Sequence, residues 1–211
     1  MKGGNKSERE AAQKHHEMVG RSILFETALS GNDVGQYILS FLPGKKGKFW
    51  DDVNAAAGAG HLHIVQWLYR QGQLCNIEGI NKAAAGGFLD VVRYLHEQVG
   101  GVRCGREGAN SAAASGHLQV VQWLHHQGIR CSPEGVDEAA GGEYNDDYGI
   151  YTGGGGHFHV VQWLHQQGIR CSTRGADGAA WGGHLVLLQW LHQKGVECSS
   201  LGADGAARGG H

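Results

Sequence analysis

Proline, methionine and long apolar runs are scarce in this sequence. Of its 211 residues only two are proline and two are methionine, and no apolar run approaches the roughly 18 residues that suggest a membrane-spanning helix. The opening stretch MKGGNKSEREAAQKHHE lacks the apolar middle of a secretion signal. Lys and Arg total 18 against 20 acidic residues, so no general attraction to nucleic acid or to a membrane surface is expected. These features favour a cytoplasmic protein, with the nucleus as the alternative.

Glycine, in contrast, is abundant and regularly placed. There are 37 glycines. Gly followed by His or Phe recurs at steps of 27, 29, 40, 27 and 27 residues, at Gly60-His61, Gly87-Phe88, Gly116-His117, Gly156-His157, Gly183-His184 and Gly210-His211. A period of this length indicates supersecondary units stacked side by side.

Each unit predicts two helices. In the stretch GHLQVVQWLHHQG, the apolar residues Leu118, Val121 and Leu124 lie three apart on one helical face, and Gly128 ends the helix. The other helix of the unit contains an alanine pair and begins after a capping residue: Asn76, Ser132, Ser172 or Ser199. One such hairpin cannot bury its own apolar stripe, so we expect an all-α solenoid of stacked helix-turn-helix repeats.

The recurring string AAxxGHLxVVxWL resembles the ankyrin repeat, in the variant frequent in protists, algae and large viruses. The resemblance covers roughly residues 50–211 in about five copies. The usual Thr-Pro-Leu-His start is absent, and its His position is filled by Asn54, Asn81, Asn110, Asp137, Asp177 and Asp204. The period of 27 is shorter than the family's 33, which predicts reduced or absent β-hairpins between units. The resemblance implies a monomeric scaffold that binds a protein partner through the concave face of the first helices.

The sequence divides into three segments. Residues 1–20 are polar and predict a disordered N-terminus. Residues 21–50 contain VGQYILSFLPG, which predicts a capping helix or a degenerate first repeat. That stretch also resembles the opening helix of an F-box, which would imply a substrate-recognition adaptor of a ubiquitin ligase. Residues 51–211 form the repeat domain, with an incomplete last repeat, so we expect weaker order after about Ser199 or a longer natural chain.

A 13-residue insertion, 143–155, accounts for the 40-residue step. Its tyrosines favour a contact loop and its glycine run favours mobility, while a gene-model artefact is a third interpretation. All three stay open at the level of sequence.

Cysteines and histidines recur in columns. Each unit has one cysteine, and stacked helices lie too far apart for a disulfide, so we expect buried apolar thiols and neither metal nor cofactor. The column His61, His117, His157, His184 and His211 predicts helix-start hydrogen bonds, and the column His96, His125, His165 and His192 predicts a favourable position at the negative helix end. Trp67, Trp123, Trp163 and Trp190, with Tyr94, predict packing between consecutive second helices.

Recognition is expected where the copies differ. No nucleophile elbow, phosphate-binding loop or zinc-protease motif occurs, so a non-enzymatic protein is predicted. The positions that vary most in the alanine-pair helix share one face, and they supply the candidate partner-binding residues Trp181, Lys82, Glu138 and Arg208. The insertion adds Tyr144, Tyr148 and Tyr151. The predicted partner is a protein whose identity the sequence does not give.

Overall fold

The computed structural model describes residues 52–98, 102–145, 147, 150–151 and 154–211. The predictions for residues 1–20 and 21–50, including the F-box resemblance, and the prediction for Tyr148 lie outside these residues.

Eleven helices and one pair of short strands make up the described chain. The helix that begins each unit, the first helix, is α1 Val53–Gly58, α3 Ile77–Ala85, α5 Arg106–Ala114, α7 Pro133–Gly141, α9 Thr173–Trp181 and α11 Ser200–Gly209. The second helices are α2 Leu62–Arg70, α4 Leu89–Gln98, α6 Leu118–His126, α8 Phe158–Gln166 and α10 Leu185–Gln193. The strands β1 Tyr144–Asn145 and β2 Ile150–Tyr151 pair antiparallel within the insertion.

The helices contact one another in sequence order. Each first helix contacts the next first helix, from α1 against α3 to α9 against α11. The second helices α2, α4, α6, α8 and α10 each contact the first helix of their own unit, and α2, α4, α6 and α8 also contact one another in turn. The described chain is therefore predominantly helical, with two rows of neighbour contacts that are compatible with a helical repeat.

Glycine and capping residues set the helix ends. Gly128 follows α6 with a φ of 82° and Gly116 follows α5 with a φ of 80°, a conformation that glycine adopts without strain. The predicted cap at Ser172 is confirmed, since its Oγ accepts from the Arg174 N–H at 3.1 Å, and Asn76 and Ser199 cap α3 and α11 in the same way. Ser132 differs, because its side chain makes no cap hydrogen bond.

A polar link joins consecutive first helices. We call Asn54, Asn81, Asn110, Asp137, Asp177 and Asp204 the Asx column. In each of its first five members a side-chain oxygen accepts from the backbone N–H of the residue that caps the next first helix. Asp137 also accepts from the Ser172 hydroxyl at 2.6 Å, and Asp177 from the Ser199 hydroxyl at 2.7 Å. Asn110 instead donates its Nδ2 to the Ser132 hydroxyl at 2.8 Å.

The linkers between units contain no strand in residues 71–76, 127–132, 167–172 and 194–199. This agrees with the expected reduction of β-hairpins between units. Consecutive units are instead connected by the hydrogen bonds of the Asx column, which join each unit to the start of the next first helix.

The histidines that start α6, α8 and α10 do not make the predicted helix-start hydrogen bond. His117, His157 and His184 occupy N-cap positions, but their side chains make no cap hydrogen bond. Their rings instead lie against the glycine that precedes the second helix one unit earlier; for example, any side chain at Gly116 would collide with the ring of His157. The recurrent Gly-His pair is therefore an inter-unit contact, in which Phe88 substitutes for His against Gly60.

The closing histidines pack on aromatic rings. The rings of His96, His125 and His165 meet those of Trp123, Trp163 and Trp190 edge-on, with centroids 5.2, 5.2 and 5.1 Å apart. Tyr69 meets Tyr94 in the same geometry at 6.0 Å. The predicted packing between second helices is confirmed, and the closing histidines are part of it.

The apolar core runs between the two rows. Val120, Val121 and Leu124 of α6 are buried, as are the alanine pairs from Ala56-Ala57 to Ala179-Ala180. Residues Ser200–Gly209 form α11, which is capped at Ser199 and contacts α9. The expectation of weaker order or a longer natural chain after Ser199 stays a prediction. No helix among the described residues combines the length and hydropathy needed to cross a membrane.

Candidate functional site

The insertion leaves and rejoins the repeat without disturbing it. The Gly156 N–H donates to the Ala140 carbonyl at 2.8 Å and the His157 N–H to the Ala139 carbonyl at 3.0 Å. The His117 N–H donates to the Ala112 carbonyl in the same way, at 2.9 Å, in a unit without an insertion. The extra residues therefore form an excursion between α7 and α8, and its strand pair lies beside the first helices.

Tyr151 fixes this excursion to α9. Its side chain is 5% exposed, and its hydroxyl donates to the Arg174 carbonyl at 2.7 Å. The ring lies directly over Gly178, where a side chain would collide with it. Burial raises the pKa of the Tyr151 hydroxyl to about 12. The buried Tyr151 side chain therefore holds the insertion in a fixed position on the first helices.

Three aromatic rings lie next to one another at this position. We call Tyr144, Tyr151 and Trp181 the aromatic row. The Tyr144 and Tyr151 rings have centroids 4.9 Å apart, and the Tyr151 and Trp181 rings 6.1 Å apart. The Trp181 ring continues onto α11, where it covers Gly205. Both Tyr144 and Trp181 are half-buried, so neither residue is sealed from solvent.

Charged groups flank the aromatic row. The Arg174 guanidinium lies 5.2 Å from the centroid of the Tyr144 ring, a cation–π contact typically worth about 0.5–1 kcal/mol at exposed sites. Burial raises the pKa of Glu138 on α7, the Glu143 carboxylate adds to that rise, and the Arg174 charge opposes it. The site thus combines aromatic rings and one guanidinium, residue types that are enriched in protein contact surfaces, with a half-buried carboxylate, which is a type depleted there.

The structure brings together only part of the predicted set. The rings of Tyr144, Tyr151 and Trp181 lie together beside α9, and Glu138 on α7 lies within electrostatic reach of Arg174. Arg208 is exposed on α11, one turn from Gly205. Lys82 is exposed on α3 and pairs with Glu78 at 2.6 Å. Lys82 therefore lies outside the aromatic row, two first helices before α7.

Two residues of this surface were missed at the level of sequence. Arg174 and Leu201 occupy one register near the start of the first helix, where the earlier copies have Glu78, Glu107 and Glu134. Leu201 is 40% exposed on α11. The sequence did contain a signal. This register holds a carboxylate in the earlier copies, a guanidinium at Arg174 and an aliphatic side chain at Leu201, so it varies between copies as the register of Trp181 does.

The thiols are mostly sealed from solvent. All five cysteines are free, and Cys75, Cys104, Cys131 and Cys171 are buried. Burial raises the pKa of the Cys104 and Cys131 thiols to about 12. Cys198 is exposed, which corrects the expectation for that member of the column. Within the described ranges, no group of three or more His, Cys, Asp or Glu is arranged to hold a metal ion.

Comparison with known proteins gives no family for this chain. No family model matches it, and no curated protein matches it either.

Proposed function

We propose that this chain is a non-enzymatic protein-interaction module: an ankyrin-like solenoid that binds a protein partner on the face formed by its first helices. The aromatic row carries this proposal. Trp181 occupies a position that holds a small residue in the earlier copies: Gly58, Ala85, Ala114 and Gly141. The other copies therefore do without a large side chain at this position.

Packing explains only part of Trp181. The ring covers Gly205 and approaches Tyr151, but it remains half-buried. Tryptophan at the centre of a surface with polar surroundings is the residue type most enriched among positions that dominate binding energy. Arg174 and Glu138 supply the polar surroundings.

The insertion supports the same interpretation. A hairpin anchored by a buried tyrosine hydroxyl on the neighbouring helix has a defined position, as a contact loop requires. Among the three interpretations of the insertion, we therefore favour the contact loop.

The test is quantitative affinity capture with three forms of the full chain: wild type, Trp181→Ala and Trp163→Ala. Trp163 is a matched control, since it is also half-buried but lies on α8 against the His125 ring. We expect Trp181→Ala to lose at least one partner that Trp163→Ala retains, with helix content by circular dichroism unchanged for both. Equal capture by all three forms contradicts the proposed site.

A further inference from the structure

Two glycines lie beneath the rings of the aromatic row. The Tyr151 ring covers Gly178 on α9. The Trp181 ring covers Gly205 on α11 in the same way, so a side chain at either glycine would collide with the ring above it. The two glycines share a register whose other members carry side chains: Ala55, Lys82, Ser111 and Glu138. The first helices that follow the insertion therefore lack side chains at the places where these two rings lie.

This register meets the register of Trp181 where neighbouring first helices contact. A side chain added at Gly141 would collide with the backbone of Gly178. One added at Gly58 would lie 3.0 Å from the Cβ atom of Lys82. Trp181 and Gly205 form the equivalent pair between α9 and α11. The glycine of these two earlier junctions has no side chain to orient, whereas Trp181 has a large ring that presents a defined surface only if it is held in one direction.

Gly205 alone does not fix the direction of the Trp181 ring. With no side chain, it cannot hold the ring at an edge, and a tryptophan side chain has several staggered rotamers. The Tyr151 ring lies beside the indole, with centroids 6.1 Å apart and ring planes tilted by 50°. Tyr151 is itself held by its burial and by the hydrogen bond that its hydroxyl donates to the Arg174 carbonyl.

We propose that Tyr151 is a positioning residue, which holds the Trp181 ring over Gly205 in the orientation that the partner contacts. This role rests on the proposed function, in which Trp181 is the central contact residue. An anchor ring that is already fixed in the free protein loses less conformational entropy on binding. Tyr151 is 5% exposed, so it contributes through Trp181 and not by its own contact with the partner.

Ile150 offers a matched comparison within the same strand. It precedes Tyr151 on β2 and is 40% exposed. Successive side chains of a strand point to opposite faces, so β2 directs Tyr151 towards the first helices and Ile150 away from them. Any contribution of Ile150 to binding is therefore a direct contact, whereas that of Tyr151 passes through Trp181.

The test measures the mobility of the Trp181 ring in the full chain, without any partner. The indole nitrogens are labelled with nitrogen-15, and the Trp181 signal is identified by its loss in Trp181→Phe. The steady-state heteronuclear NOE of that nitrogen falls when the ring changes rotamer on the picosecond-to-nanosecond timescale. In the wild type, Trp181 and Trp163 should both give the NOE of a rigid side chain.

Tyr151→Ala should lower the NOE of Trp181 and leave that of Trp163 unchanged, because Trp163 lies on α8 against the His125 ring. Loss of a neighbouring ring by itself displaces the Trp181 signal without lowering its NOE. Tyr151→Phe keeps the ring and should keep the wild-type NOE, as should Ile150→Ala. An NOE that stays at the wild-type value in Tyr151→Ala, or that falls equally in Ile150→Ala, overturns this role.

A double-mutant cycle in quantitative affinity capture tests the consequence for binding. Tyr151→Ala should reduce capture of the partner that depends on Trp181. It should cause a smaller further reduction in the Trp181→Ala background, because the effects of coupled residues do not add. Equal reductions in the two backgrounds overturn the role. If Trp181→Ala loses no partner, the proposed function fails, whereas the NOE still decides whether Tyr151 fixes the ring.

Discussion

The row of first helices and the row of second helices are joined to their neighbours by different chemistry. First helices are linked by the Asx column, in which a side-chain oxygen accepts from the start of the next helix. Second helices are linked by aromatic and aliphatic packing. Because the Asx link occupies one position per unit, other surface positions of the first helix are free to vary. The candidate binding residues lie among those positions.

The largest expected effect comes from the packed row. Leu164 of α8 is 0% exposed, and replacing a buried leucine by alanine removes packing and leaves a cavity. We expect Leu164→Ala to lower the free energy of unfolding by about 2–5 kcal/mol in urea titrations. Leu185→Ala, at a 62% exposed leucine of the neighbouring helix, should change it by less than about 1 kcal/mol. Comparable losses from both would contradict the burial assigned to α8.

The polar row should give a smaller loss. Asp177 is 5% exposed and accepts from both the backbone N–H and the hydroxyl of Ser199, at 2.5 and 2.7 Å. Asp177→Ala leaves these donors without their acceptor, and hydrogen bonds to a charged group contribute about 1.5–3 kcal/mol.

Asp204 provides the matched control for that substitution. It belongs to the same Asx column but is exposed on α11. Asp204→Ala should therefore change the free energy of unfolding by no more than about 0.5 kcal/mol. If both substitutions have the same effect, the Asx column does not join the units.

Much of this arrangement could be predicted from the sequence, because every copy repeats the same local signals. The two helices per unit, the glycine at Gly128 and the cap at Ser172 depend on residues within a few positions of each other. The neighbour contacts between helices are compatible with the stacking that the apolar stripe predicts. The described linkers contain no strand, as expected from the short period.

The contacts between units could not be predicted in the same way. The ring of His157 could have capped its own helix, and only the juxtaposition with Gly116 shows that it packs across the junction. Likewise, Tyr144 and Tyr151 are both tyrosines of one loop in sequence. The strand pair places Tyr144 directly opposite Tyr151, and only the contacts with α9 show that Tyr151 is buried against Gly178 while Tyr144 is half-buried.

Acid should weaken the junctions of the second helices. Burial lowers the pKa of His125, His157 and His165, and for His157 the neighbours His159, His117 and His184 lower it further while the Ala114 carbonyl opposes them. In the unfolded chain these histidines take up protons near the ordinary histidine pKa of about 6.5. The stability that the neutral histidines contribute should therefore be fully present above that pH and should decline as the pH falls below it. Urea titrations between about pH 7.5 and 5.5 measure this decline above the range in which ordinary carboxylates titrate.

His157→Phe tests the source of that decline. Phenylalanine already fills the equivalent place at Phe88, against Gly60, so the variant should fold and show a weaker dependence on pH. His63→Gln is the control, because His63 is exposed, and it should leave the dependence as it is in the wild type. An unchanged decline in the His157 variant would show that the ring against Gly116 does not contribute.

The smallest expected effect concerns Lys82, far from the aromatic row. Its ion pair with Glu78 links two side chains that are 58% and 61% exposed, and ion pairs this exposed to solvent contribute little to stability. Lys82→Ala should therefore leave urea unfolding nearly unchanged, so any change in partner capture reports on recognition alone. If the binding face extends along the first helices from α3 to α11, capture should fall, though less than with Trp181→Ala. Undiminished capture would confine the face to the surroundings of the aromatic row, where the copies depart most from one another.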